Sequence, residues 1–407
     1  MSNIGHVQTH YPTTRHSPAE IGTGKSCKDK AGQSNRNDLG VALIHFNPNS
    51  FERGLPALSR CKIGRHELSM GGCKPYYLID IFVIYYRKRS KKISFIPINR
   101  LPSHIMSNIW KGVFPAVTTK FKEDFSLDYA GTQKGIEAQL KAGVHGIITT
   151  GTLGEASTLS YAEKQEVLRI AVETVNGKVP VLMGVAQNTT LEACHAVEEG
   201  QVNGADGFMI LPAMLYAADR RETITHFREV AGASGKPLMI YNNPVSYKVD
   251  CTVDMLEELA DEDMFVAIKE SSDDVRRITD IVNRLGDRYD LFTGVDNLAM
   301  ESLLMGATGW VAGLVCAFPE ETVAIYNLIQ SGRISEARDI YRWFKPLLDL
   351  DVNVKLVQNI KLAEVAVGLG TETTRPPRLP LVGSERENVL RVIRTALDNR
   401  PDVSDYV

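Results

Sequence analysis

Two short stretches carry residues with chemical reach: Tyr241-Asn242-Asn243-Pro244 and, 28 positions on from the tyrosine, Lys269-Glu270-Ser271. Each closes an apolar run, residues 237–241 in one case and 265–269 in the other, with the length and composition of a buried parallel strand. A lysine at the C-terminal end of such a strand, facing an apolar interior, is poorly solvated as an ammonium. Its pKa falls, and the free amine becomes a nucleophile toward carbonyls. The competing reading of Lys269 is structural, an ammonium reaching from a strand end to pair with a carboxylate. A third stretch, Gly151-Thr152-Leu153-Gly154-Glu155, sets glycines on both sides of a hydroxyl, so that successive backbone amides can cradle a small anion such as a carboxylate. Taken alone, that pattern also suits a tight turn.

These stretches need a scaffold that gathers strand ends. From residue 112 onward, strands are expected at 112–118, 146–150, 180–185, 207–211, 237–241, 265–269, 289–293 and 309–312. Between them, helices are expected at 128–142, about 220–234, 253–259, 273–285 and 298–305, with two more opened by Ser160-x-x-Glu163 and Thr189-x-x-Glu192, where serine or threonine and glutamate satisfy the exposed amides of a helix start. Eight strand–helix units place the chain in the α/β class as a (β/α)8 TIM barrel, whose chemistry sits at the C-terminal strand ends. A doubly wound open sheet fits the count of eight and the even spacing less well. After Pro319 the pattern is helical, at 320–331, 335–350, 354–369 and in a last helix capped by Ser384-x-x-Glu387, which reads as a C-terminal helical extension. The expected divisions are residues 1–106, a barrel at 107–318 and a helical bundle at 319–400.

Charge divides the chain as well. The net charge of −3 averages +10 over residues 1–107 and −13 over the remaining 300. Residues 1–106 are rich in Ser, Asn, Gly and basic side chains without sustained periodicity, and are expected to be a disordered basic leader or an extension foreign to an enzyme that starts at Met106. Their one apolar island, residues 76–86, falls short of the roughly 20 residues that span a bilayer, and the basic cluster at 87–92 reads as a solvated tail. Neither a membrane nor a nucleic acid is therefore expected as a partner. The expected location is cytoplasmic, with organelle targeting by the leader as the alternative. Six cysteines are too dispersed for a disulfide framework, and Cys61, His66 and Cys73 lack the spacing of a zinc site, so no metal is expected.

In combination the three stretches resemble the dihydrodipicolinate synthase and N-acetylneuraminate lyase family: a G-x-x-G-E loop after the second strand, Y-N-x-P after the fifth and K-E after the sixth, over residues 110–400, with Thr152 and Tyr241 89 positions apart. The resemblance implies class I lyase chemistry. Lys269 condenses with the ketone of a small 2-oxo acid to give a protonated imine, after which a proton or carbon fragment leaves C3 or a group β to the imine is expelled. Tyr241 matches the family's proton shuttle, and Thr152, with the amides of Thr152 and Leu153, matches the carboxylate site. Gly294 and Val311 match positions lining the imine pocket. The resemblance implies no metal or organic cofactor, and a homo-oligomer, dimer or tetramer.

Departures from the synthase pattern narrow the activity. Leu153 stands where a second threonine is expected. Leu211-Pro212-Ala213-Met214 replaces a tyrosine pair that extends the proton relay across a subunit contact, so the relay looks cut short. Ser246 stands where the synthases carry an arginine for the second substrate's carboxylate, the loss of a bidentate clamp, and Lys248 lies too far along the chain to replace it. With Leu153, Met214 and Leu215 as apolar loop residues, the expectation is a dehydratase or deaminase of a small hydroxylated 2-oxo or imino acid. The alternatives are 4-hydroxy-tetrahydrodipicolinate synthase and a retro-aldol lyase of the N-acetylneuraminate type within the family, and a catalytically inactive small-molecule-binding barrel outside it.

Overall fold

The computed structural model describes residues 110–407 except Met214 and Leu215, and, within the first hundred residues, the backbone of five short strands. The chain divides into two compact units, Met1–Arg100 and Leu101–Val407. In the first unit, β1 (Leu39–Leu43) and β5 (Lys92–Pro97) flank β4 (Phe82–Arg87) in an antiparallel sheet, and β2 (Arg60–Ile63) pairs with β3 (His66–Ser69). These strands lie within the stretch expected to be a leader or a foreign extension. The β-branched and aromatic residues of Phe82–Arg87 favour extended backbone locally, a preference that composition averaged over the whole stretch hides.

The second unit is built on eight parallel strands: β6 (Gly112–Pro115), β7 (Ile147–Thr149), β8 (Val181–Val185), β9 (Gly207–Ile210), β10 (Leu238–Asn242), β11 (Phe265–Glu270), β12 (Asp290–Thr293) and β13 (Gly309–Ala312). They run in sequence order around the sheet, and β6 also pairs with β13. A parallel bridge between Ala116 and Ile148, with the Val117 amide donating to the Ile148 carbonyl at 2.9 Å, brings β6 against β7 and closes the expected (β/α)8 barrel.

Side chains alternate across each strand. One set, including Phe114, Ile148, Leu182, Met209, Met239, Tyr241, Phe292 and Val311, fills the barrel interior, where Phe114 meets Phe292 edge to face at 5.1 Å. The other set packs outward beneath the helices in the larger core. Trp110 closes the N-terminal end. Its amide donates to Asp290 Oδ2 at 2.9 Å, and its ring covers Gly207 so closely that an added Cβ there would lie 2.4 Å from it. The interior is therefore sealed below and reachable from the C-terminal strand ends.

The helix starts follow local chemistry. Ser160 and Glu163 form the expected capping box, and Thr189 accepts from the Glu192 amide at 3.2 Å. Asp219 and Glu222 form a second box, in which an aspartate in place of a serine or threonine supplies the cap. The last helix, Gly383–Asp398, is a correction: it has no side-chain cap, and Ser384 lies inside it because Gly383, at φ +55°, turns the chain one residue earlier. Pro319–Gln330 packs on β6 as the eighth helix of the outer ring, and Ile334–Leu348, Leu356–Ala366 and Gly383–Asp398 form the C-terminal extension. Among the described residues no helix is long and apolar enough to cross a membrane.

Candidate active site

Strands β10 and β11 pair in register, Tyr241 beside Lys269 and Asn242 beside Glu270. The alternation of a strand then sends the two pairs to opposite faces. Outside the barrel wall, Asn242 Nδ2 donates to Glu270 Oε2 at 2.9 Å and to Asp250 Oδ1 at 3.2 Å, and Arg277 holds Asp250 with two bonds of 3.0 and 2.9 Å. This network fixes the height of both strand ends. Inside, Lys269 Nζ stands 4.0 Å from the centre of the Tyr241 ring.

Lys269 is buried, with 6% of its surface exposed. Its pKa is lowered by desolvation, which the neighbouring Tyr247, Asp351 and Asp296 side chains oppose. The structural reading of this lysine requires an ion pair, and among the described residues no carboxylate oxygen lies within 4.0 Å of its nitrogen. Gly294 makes room for it. A Cβ there would fall 2.1 Å from Ser271 Oγ and 2.4 Å from Lys269 Cε, while the Gly294 amide donates to the Glu270 carbonyl at 2.9 Å. Val311 is buried in the same interior layer.

Tyr241 is equally buried, and desolvation raises its pKa, with the neighbouring Asn243, Tyr247 and Ser271 side chains pulling the other way. Asn243 Nδ2 donates to its phenol oxygen at 3.1 Å. The second tyrosine was not singled out from the sequence. Pro244–Tyr247 forms a single helical turn, capped by Asn243, whose side chain accepts from the Ser246 amide at 2.9 Å. That turn folds Tyr247 back over Tyr241, ring against ring at 5.6 Å and nearly perpendicular, and its hydroxyl hydrogen-bonds the hydroxyl of Thr152. Where the relay was expected to be cut short, Tyr247 of the same chain thus hydrogen-bonds Thr152 and packs its ring on Tyr241. The available signal was a tyrosine six residues after the first, across a proline-started turn.

The loop carrying Thr152 is strained into shape. Thr150 and Glu155 adopt left-handed backbone, at φ +52° and +54°, and Gly184 on β8 leaves the loop room, since a Cβ there would lie 2.8 Å from the Thr150 carbonyl oxygen. The amides of Thr152 and Leu153 have no acceptor among the described residues, which suits an incoming carboxylate. Leu153 itself does not line the pocket as expected. Its side chain is buried in the core beneath the helices, so its contribution at the site is its backbone.

Beneath the loop, Glu155 is fully buried and accepts from Lys361 Nζ at 2.5 Å and from the Arg375 amide at 3.1 Å. Lys361 also donates to the Thr373 carbonyl at 2.7 Å. A second buried pair, Lys120 with Glu364, accepts the Thr118 hydroxyl onto Glu364 at 2.9 Å. Lys361 and Glu364 share one helix of the C-terminal extension, which therefore braces the loop from below.

At the ends of β12 and β13 stand two aspartates absent from the sequence reading. Asp296 accepts from Trp310 Nε1 at 2.9 Å, from the Gly313 amide at 3.1 Å and from the Leu314 amide at 2.8 Å. Asp351 arrives from the loop after Ile334–Leu348 and lies over Gly313, where a Cβ would fall 2.3 Å from its Oδ1. Of the remaining expected residues, Ser246 is exposed on the outside of its turn, and Lys248 Nζ donates to the Val245 carbonyl at 2.8 Å, turned back on its own segment. Met214 lies outside the described residues. Among the described residues no group of three or more His, Cys, Asp or Glu is placed to hold a metal ion.

An amine of lowered pKa, a phenol beside it, a second phenol joined to a threonine, and free amides make a site able to form an imine and move protons about it. Comparison with known proteins agrees in scale and kind. A 4-hydroxy-tetrahydrodipicolinate synthase of Methanothrix thermoacetophila is 31% identical over 292 residues, 72% of this chain and 98% of that protein. A protein of Rhizobium meliloti named an uncharacterized DapA-like lyase is 32% identical over 289 residues, 70% of this chain and 96% of its own length. The crystal structure of dihydrodipicolinate synthase from Aquifex aeolicus superposes with a TM-score of 0.68 at 28% identity, covering 72% of this chain and all of the other. Residues 109–396 match the dihydrodipicolinate synthetase family, and the chain belongs to that family of Schiff-base-forming lyases.

Proposed function

We propose that Lys269 forms the imine with a small 2-oxo acid, that Tyr241 moves protons to and from it, and that Thr152 with the amides of Thr152 and Leu153 holds the carboxylate. Tyr247 relays protons between Thr152 and Tyr241, so the relay is complete within one protomer. Gly294 and Val311 border the imine by shape alone. Assembly as a dimer or tetramer fits the family, and light scattering reads it directly.

Within the family we infer a dehydratase or deaminase of a small hydroxylated 2-oxo or imino acid, such as a 2-keto-3-deoxy sugar acid or 1-pyrroline-4-hydroxy-2-carboxylate. The observation that carries this reading is the turn Pro244–Tyr247. It offers the mouth a phenol from Tyr247 while Ser246 faces solvent and Lys248 turns away, leaving no cation on this segment for a second substrate's carboxylate. Synthesis of 4-hydroxy-tetrahydrodipicolinate is the second reading, favoured by the names of relatives at about 30% identity. Purified protein incubated with a panel of 2-oxo acids, the hydroxyproline-derived imine, and pyruvate with aspartate semialdehyde separates them. Elimination of water or ammonia supports the proposal; efficient condensation with the semialdehyde, or cleavage of N-acetylneuraminate, overturns it.

A further inference from the structure

The two aspartates near Lys269 are held in opposite ways. Asp296 is enclosed; burial raises its pKa, and the indole N–H and two backbone amides that take its oxygens favour its ionised form against that burial. Asp351 comes from the C-terminal extension, is partly exposed, and no hydrogen bond holds its carboxyl among the described residues. The carboxyl rests on Gly313, the residue after β13, which itself donates to Asp296. Its charge acts on Lys269, Tyr241 and Cys316, and Asp296 acts on it in turn.

A second observation points to a ligand in the same space. Ser271 Oγ is buried beside the Tyr241 phenol, and it shares with the Lys269 stem the gap that Gly294 leaves open. A buried hydroxyl at Gly294 and, at Gly313, a carboxyl that no hydrogen bond holds among the described residues form a polar rim suited to a hydroxylated molecule attached to the lysine.

We propose that Asp351 is the general acid for the leaving group: in its protonated form it delivers a proton to the hydroxyl on C4 of a 2-oxo acid held as an imine on Lys269. This rests on the Schiff-base reading above. Tyr241 takes a proton from C3, the C3–H electron pair forms the C3–C4 double bond, and the C4–O bond breaks with its electron pair on oxygen. That oxygen accepts the Asp351 proton and leaves as water, and Asp351 recovers a proton from solvent. Two carboxyls beside one cation do not both ionise readily, and the proton settles on the one without hydrogen-bond donors. Burial and the charge of Asp296 accordingly raise the Asp351 pKa, while Lys269 opposes them.

The test compares the full-length protein with Asp351→Asn on 4-hydroxy-2-oxobutanoate and on 4-fluoro-2-oxobutanoate, whose leaving fluoride needs no proton. The variant keeps borohydride trapping of pyruvate and deuterium exchange at C3 within about threefold, loses about 10²–10³-fold in loss of the hydroxyl, and keeps fluoride release. Loss of the hydroxyl by the wild type falls at alkaline pH as the acid is deprotonated, a fall the variant lacks, and Asp351→Glu recovers part of the rate. Loss of the hydroxyl within threefold of wild type in Asp351→Asn, or equal losses on both compounds, overturns the proposal. So does a wild-type enzyme that traps pyruvate but eliminates neither group. Failure of the wild type to trap pyruvate overturns instead the Schiff-base reading beneath it.

Discussion

Tyr247→Phe removes one oxygen from the site and leaves the ring packed on Tyr241. The lost hydroxyl is the partner of Thr152 Oγ1. Leaving a partly buried hydroxyl unpaired costs about 1 kcal/mol of stability, a fall in Tm of about 2–4 °C for a domain of this scale. The effect on rate is larger. A positioned acid–base group contributes about 10²–10⁴-fold, and for a group that acts through Tyr241, as proposed, the lower end applies: about 10²-fold, or about 2.7 kcal/mol of transition-state stabilisation. Thr152→Val breaks the same link from the other side and costs a similar factor. If the two hydroxyls act in series, the double variant loses about 10²-fold and not about 10⁴-fold, a coupling of about 2.7 kcal/mol. The assay needs no knowledge of the natural substrate: an imine acidifies C3 of pyruvate, and exchange of its methyl protons in D2O is followed by NMR. A Tyr247→Phe rate within threefold of wild type, or losses that multiply in the double variant, refutes the relay.

Three further outcomes follow from the geometry. Gly294→Ala places a Cβ 2.4 Å from Lys269 Cε, so the lysine is displaced and borohydride trapping of pyruvate slows at least tenfold with little change in far-UV circular dichroism; trapping at the wild-type rate contradicts the packing. Glu155→Gln strands the buried Lys361 ammonium and costs about 3–5 kcal/mol in urea unfolding, whereas Glu155→Gln with Lys361→Met recovers most of it; a single variant within 1 kcal/mol of wild type removes the brace from the account. Because desolvation lowers the Lys269 pKa, the trapping rate rises with pH with a midpoint below 10.5, and a midpoint at 10.5 excludes a buried amine. The linkage runs the same way: the unfolded chain binds more protons between the folded pKa and 10.5, so this lysine costs stability at low pH and the cost fades as pH rises toward 10.5.

Legibility in the sequence tracked how local each cause is. The eight strands show as short apolar runs because both faces of a barrel strand are buried, and Tyr241 and Lys269 line up because each ends its run at the same height. Ser160 declared its helix through a box spanning four residues. Tyr247 went unread because its role depends on a one-turn helix reversing the ring, and Asp351 because it reaches Gly313 across 38 positions of helix and loop. Leu153 was read from its neighbours as a pocket residue, yet a loop with left-handed backbone at Thr150 and Glu155 turns it into the core. The pairs of Glu155 with Lys361 and Lys120 with Glu364 join residues more than 200 positions apart, beyond any local pattern.

The central claim is that Lys269 carries the substrate as an imine. Incubation of the full chain with pyruvate and borohydride, followed by intact mass and peptide mapping, tests it most directly. The account predicts one carboxyethyl group per chain, on Lys269, and none in Lys269→Met. An unmodified Lys269, or an equal modification of the Lys269→Met variant at another lysine, contradicts it.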